Sequence, residues 1–117
     1  MKENILKTKS YSFAIRIVKL SQYLQHERKE FVLSKQILRC GTAVGALIRE
    51  AEYGQSKADF VHKLSISIKE ANETEYWINI LKDTDYIEQN MYESLLNDCH
   101  ELLRLLTASI KTAKQWS

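Results

Sequence analysis

Proline is absent from this chain of 117 residues, and glycine occurs only three times. Proline and glycine are the residues that build tight turns, so their scarcity argues against an all-β design with many hairpins. Cysteine occurs only twice. Cys40 and Cys99 have no metal-type spacing to each other or to His26, His62 and His100, which argues against a disulfide framework or a zinc site and leaves two buried thiols as the expectation. No uninterrupted apolar run approaches the roughly 18 residues of a membrane span, and no apolar segment with a cleavage site opens the chain, so a cytoplasmic protein with no membrane partner is expected.

What is present suits a helical protein. Hydrophobic residues make up 44% and charged residues 27% of a length that fits one ordinary domain, residues 1–117. Four segments carry the helical period. From about Thr8 to His26, Phe13, Ile17, Leu20 and Leu24 recur at three- and four-residue steps. After the charged stretch Glu27 to Glu30, Ser34 is the expected N-cap of a second helix, in which Ile37, Leu38, Gly41, Val44, Gly45, Ile48 and Ala51 keep the period. Gly41 and Gly45 fall on its buried face, where a missing β-carbon lets a neighbouring helix approach closely and offsets a propensity penalty of roughly 1 kcal/mol each. Gly54 is expected to end this helix as a left-handed cap, and Ser56 with Asp59 to begin the next as a capping box.

The third helix runs from Lys57 to about Asp83 and has two stripes. Phe60, Leu64, Ser67, Ile68, Ala71 and Ile78 form the first; Ile66, Trp77 and Ile80 point roughly opposite, among Lys63, Glu70 and Glu73. A second stripe needs either a second cover within the chain or another subunit, so Ile66, Trp77, Ile80, Glu70 and Glu73 are candidate oligomer-interface residues. Asn90 with Glu93 marks the start of a fourth helix, whose stripe is Leu95, Leu96, Cys99, Leu102, Leu103, Leu106, Ile110 and Ala113. Short connections between long helices give an all-α, antiparallel up-down-up-down four-helix bundle.

The run from Gln36 to Leu81 resembles the signature of the four-helix-bundle family encoded in intervening sequences of bacterial large-subunit ribosomal RNA genes. The resemblance rests on Gln36, Leu38, Arg39, Gly45, Glu50, Ser56, Phe60, Leu64, Lys69, Glu70, Ala71, Glu73 and Trp77 in order and spacing, and Leu47 stands where family members often have asparagine. It implies a ring of subunits, a pentamer, with no established enzymatic activity. The chain is also more distantly similar to the accessory proteins of diversity-generating retroelements, which are pentameric bundles that bind nucleic acid beside a reverse transcriptase.

Charge is distributed unevenly. Residues 1–29 hold seven bases and two acids, whereas residues 84–117 hold three bases and five acids. Lys2, Lys9, Arg16 and Lys19 share one side of the first helix with Tyr23 nearby, so Lys9, Arg16, Lys19 and Tyr23 are candidate contacts to RNA or DNA. A solvated helix face is the bland reading of the same residues. The expected function is therefore a non-enzymatic homo-oligomer that binds nucleic acid, structured RNA foremost, through repeated basic surfaces. The alternative is a protein-interaction scaffold with a protein partner and no nucleic acid.

Catalytic chemistry has little support. Glu70 and Glu73 share a face, but beside Lys63 and Lys69 an i, i+3 pair fits an ion-pair network better than acid–base work. Asp98, Cys99 and His100 are consecutive, so on a helix they diverge and cannot hold one metal ion together. No phosphate-binding loop or activated nucleophile is recognisable, and no catalytic residue, cofactor or metal is assigned.

Overall fold

The described residues form four helices in the computed structural model: α1 (Lys2–His26), α2 (Leu33–Glu52), α3 (Lys57–Asp83) and α4 (Gln89–Lys114). The structure describes residues 2–115, with side chains from Ile5 to Gln115, and contains no strand among them. Each helix touches its neighbours in sequence, and α4 closes back on α1 with the sparsest of the four contacts. Cross-helix bonds give the directions. Lys7 near the start of α1 meets Glu52 at the end of α2, while Ser21 late in α1 donates to the Ser34 carbonyl at the start of α2. Lys63 reaches back to Glu50 across the α2–α3 turn, and Tyr92 donates to Asn79 across the α3–α4 turn. Consecutive helices therefore run in opposite directions in a bundle with extents of 50 × 22 × 20 Å.

The core follows the periodic stripes: Phe13, Ile17, Leu24, Ile37, Val44, Leu64, Ile78, Leu81, Leu95, Leu102 and Leu106 are fully buried or nearly so. Their burial supplies the main driving force for folding, at about 25 cal/mol per Å² of apolar surface. α2 and α4 are sharply two-sided, whereas α1 and α3 have weak amphipathic contrast because apolar groups also lie off the core face. The α1–α2 seam is tight for the reason the glycines suggest. A Cβ on Gly41 would lie 2.8 Å from two carbons of Ile17, and one on Gly45 would lie 3.3 Å from the backbone oxygen of Ser10.

Three helix ends differ from the sequence expectation. Ser34 does not cap α2. The buried Glu30 does so, its carboxylate accepting from the backbone N–H groups of Val32, Leu33 and Ser34 at 3.2, 2.9 and 2.8 Å. A carboxylate satisfies three orphan donors where a hydroxyl satisfies one, and its charge complements the helix N-terminus. Gly54 is not left-handed, since no described glycine has positive φ. Its bareness serves space instead: a Cβ would lie 3.0 Å from Asp59 Oδ2 and 3.1 Å from the Ala51 carbonyl. Asn90 is already inside α4, which begins after Glu88 without a side-chain cap bond, and Gln89 rather than Asn90 bonds Glu93. The start of α3 has the expected Ser56 cap, its Oγ accepting from the Asp59 N–H at 3.0 Å.

Candidate nucleic-acid interface

The basic side of α1 divides in two. Arg16 bonds Asp98 of α4 at 2.7 Å and Lys9 pairs with Glu101 at 3.3 Å, so both fasten the α1–α4 seam and bring a carboxylate with them. Lys19 has no acidic partner among the described residues. With Arg16, Tyr23, Met91 and Leu95 it lines a furrow of about 220 Å³ between α1 and α4, whose lining includes no carboxylate. The side chain of Lys2 lies outside the described residues.

A feature that the sequence reading missed emerges when α1 is set beside α2. Ile5–His26 and Phe31–Arg49 carry seven bases between them and no acid. Of these bases, Lys7 pairs with Glu52 and Arg39 with α3, while Lys19, Lys35 and Arg49 have no acidic partner among the described residues. The signal was present as missing Asp and Glu, and the three cations without an acidic partner stand on two adjacent helices.

On the same side α1 exposes a ridge without charge. Tyr11, Ile15 and Val18 follow the i, i+4, i+7 spacing and remain 65%, 42% and 38% exposed, with exposed Thr8 and Gln22 extending the line at either end. Beside the ridge runs a groove of about 500 Å³ between α1 and α2. Ala14, Thr42, Gly45 and Ala46 are among the small residues lining it, and Tyr11, Lys7 and Arg49 also contribute.

The candidate interface residues of α3 lie elsewhere. Trp77 packs against the core of its own chain and donates to Glu73 at 3.0 Å; Ile66 and Ile80 are half-buried, and Tyr76 beside them is exposed. Glu70 and Glu73 both engage Arg39 of α2, Glu70 at 3.3 Å, so these ion pairs are made within the chain. The guanidinium bond to Glu73, helped by the Trp77 N–H, holds that carboxyl below its ordinary pKa and raises that of Arg39. Glu75 pairs with His100 at 3.1 Å.

Cys40 and Cys99 are buried, and burial raises both thiols, that of Cys99 to about 12. Such thiols stay protonated at neutral pH and make poor nucleophiles. Among the described residues no group of three or more His, Cys, Asp or Glu is arranged to hold a metal ion, and no helix is long and apolar enough to cross a membrane.

The fold and its surface define a class: an all-α four-helix bundle whose first two helices carry an excess of bases, three of them without an acidic partner among the described residues. The chain belongs to the family of 23S rRNA-intervening sequence proteins, which it matches over residues 2–108. A crystal structure from Bacteroides thetaiotaomicron, described as a protein of unknown function from the S23 ribosomal protein family, is 58% identical and superposes with a TM-score of 0.94. The match covers 95% of this chain and 99% of that one. None of the curated proteins matches the chain.

Proposed function

We propose that this protein is a non-enzymatic, homo-oligomeric bundle that binds nucleic acid, RNA foremost, through the α1–α2 side. The observation that carries this reading is that Lys19, Lys35 and Arg49, within the acid-free stretches Ile5–His26 and Phe31–Arg49 of two adjacent helices, have no acidic partner among the described residues. Lys19, Lys35 and Arg49 are the contacts, because a cation already paired to a carboxylate releases fewer counterions when a phosphate approaches. Tyr23 beside Lys19 adds an aromatic face, and Lys9 and Arg16 contribute less than their position on α1 alone would suggest. Assembly into a ring, a pentamer by resemblance, repeats the surface so that weak contacts add. Its interface would lie on α3, a reading supported by the exposed Tyr76 together with half-buried Ile66, Trp77 and Ile80 on that helix.

The test measures the molar mass of the purified protein by light scattering, before and after nuclease and high salt, together with retention of RNA. A multi-subunit particle that sheds nucleic acid in salt is expected. Reversing Lys19, Lys35 and Arg49 to glutamate should abolish retention with the fold intact, and undiminished retention would exclude this surface. Trp77→Glu should shift the assembly toward monomer while the helices remain; an unchanged mass would put the interface elsewhere.

The uncharged ridge is the observation that favours a protein-interaction scaffold. That reading predicts salt-tolerant capture of a protein and no bound RNA.

A further inference from the structure

We propose that the groove between α1 and α2 takes the bases of an unpaired nucleic-acid strand, with Tyr11 as the stacking face and Arg49, Lys19 and Lys35 as phosphate contacts. This rests on the reading that the α1–α2 side binds nucleic acid, and adds which form of the polymer the side accepts.

A surface meant for phosphates alone has no use for an apolar line through its middle. Tyr11, Ile15 and Val18 nevertheless stand exposed there, with Arg49 of α2 lining the groove beside Tyr11 and Lys19 following Val18 on α1. A duplex hides its base faces in the stack and presents phosphates and sugars, so docking it here would dehydrate the ridge against charged groups. A single strand carries both chemistries side by side, a row of phosphates and a row of free π-faces, and is bound by cations that track the backbone beside aromatic platforms. The groove has the matching shape. Ala14, Thr42, Gly45 and Ala46 leave about 500 Å³ beside the Tyr11 ring, and no carboxylate lines it to repel an approaching phosphate. Arg49 lines the same groove, where its guanidinium can pair with a phosphate or lie flat on a base. The glycine that seats α1 against α2 thus also opens the floor: a larger residue at Gly45 would crowd Ser10 and fill the space beside Tyr11.

The experiment measures fluorescence anisotropy of labelled single-stranded RNA of mixed sequence and of the same strand annealed to its complement, across a salt series. It uses the full chain and its Tyr11→Ala, Tyr11→Phe and Lys19/Lys35/Arg49→Glu variants. The single strand should bind more tightly than the duplex. Tyr11→Ala should weaken single-strand binding about tenfold or more with an unchanged salt slope, should leave duplex binding alone, and Tyr11→Phe should restore the preference. Tyr11 is exposed, so circular dichroism should find the fold of both variants unaltered. Equal affinity for the two forms, or equal loss of both in Tyr11→Ala, overturns the groove and leaves the basic surface standing. Absence of any binding by the unmodified chain overturns both. If Tyr11→Ala lowers the mass of the assembly and leaves RNA affinity unchanged, the ridge is a subunit contact and the proposal fails.

Discussion

The α1–α2 half of the bundle and the α3–α4 half solve the same packing problem with different chemistry. α1 and α2 meet closely where α2 lacks a side chain, the Ile17 side chain seating on Gly41 and the Ser10 backbone oxygen and hydroxyl on Gly45. α3 and α4 are joined by side chains that reach across: Tyr92 to Asn79 at 2.7 Å, His100 to Glu75, and the Cys99 thiol to the Ala71 carbonyl. Charge divides along the same line. From Lys57 to Lys114 ten acids accompany seven bases, whereas from Lys2 to Glu52 ten bases accompany five acids. At the α1–α2 seam the polar bonds sit at the two ends, Lys7 to Glu52 and Ser21 to the Ser34 carbonyl, and leave the middle to small residues. The outward positions of α1 and α2 are thereby free for a partner, while several acids of α3 and α4 are already committed to Arg39, Arg16 and Lys9.

This contrast breaks most clearly at the glycine seam. Gly41→Leu should destabilise the bundle by about 3 kcal/mol in urea unfolding, because Ile17 is fully buried and has nowhere to move. The matched test on the other seam is Tyr92→Phe, which removes the bond to Asn79 and should cost about 1 kcal/mol. Costs of equal size would mean that the two seams do not differ in kind. The smallest effect is expected between the halves, where Arg39 spans α2 to α3 and both partners are substantially exposed. Glu73→Gln should cost less than about 1 kcal/mol. Its sign with pH is defined. The folded-state pKa of Glu73 lies below its ordinary value of 4.5, so the contribution is complete above that value and disappears as the pH falls through the folded pKa. Stability curves of the two proteins measured from pH 7 downward should therefore converge in acid; a constant gap would assign the cost to lost packing.

Much of the fold was legible because a helical period needs only one chain of residues to declare itself. The stripes around Ile17, Ile37, Leu64 and Leu102 predicted the core, and the phase of Gly41 and Gly45 predicted where helices approach. Helix ends were less legible. Glu30 reads as one more charge in a linker, and its role depends on a chain reversal that buries it under the first turn of α2. The candidate surface suffered from the same limit at longer range. Arg16 looked free because Asp98, its partner, is 82 positions away, and the place of Arg49 on the groove was hidden because most of its neighbours there come from α1. The ridge of Tyr11, Ile15 and Val18 was obscured by the stronger stripe of Phe13, Ile17 and Leu20 interleaved with it.

The closing seam between α1 and α4 has a kinetic meaning. Three of the four helix contacts join elements adjacent in the chain, so the loops to be closed are short and the topology belongs to the fast-folding kind. The α1–α4 contact alone joins the two ends of the sequence, and two partly exposed ion pairs are among its fastenings. It should therefore form last and open first, and amide hydrogens along it should exchange ahead of the core, sooner still as added salt screens the pairs. Uniform exchange along all four helices would contradict this order. In this bundle, length of chain between partners and thinness of contact coincide at one edge, and that edge is where the native state is expected to breathe.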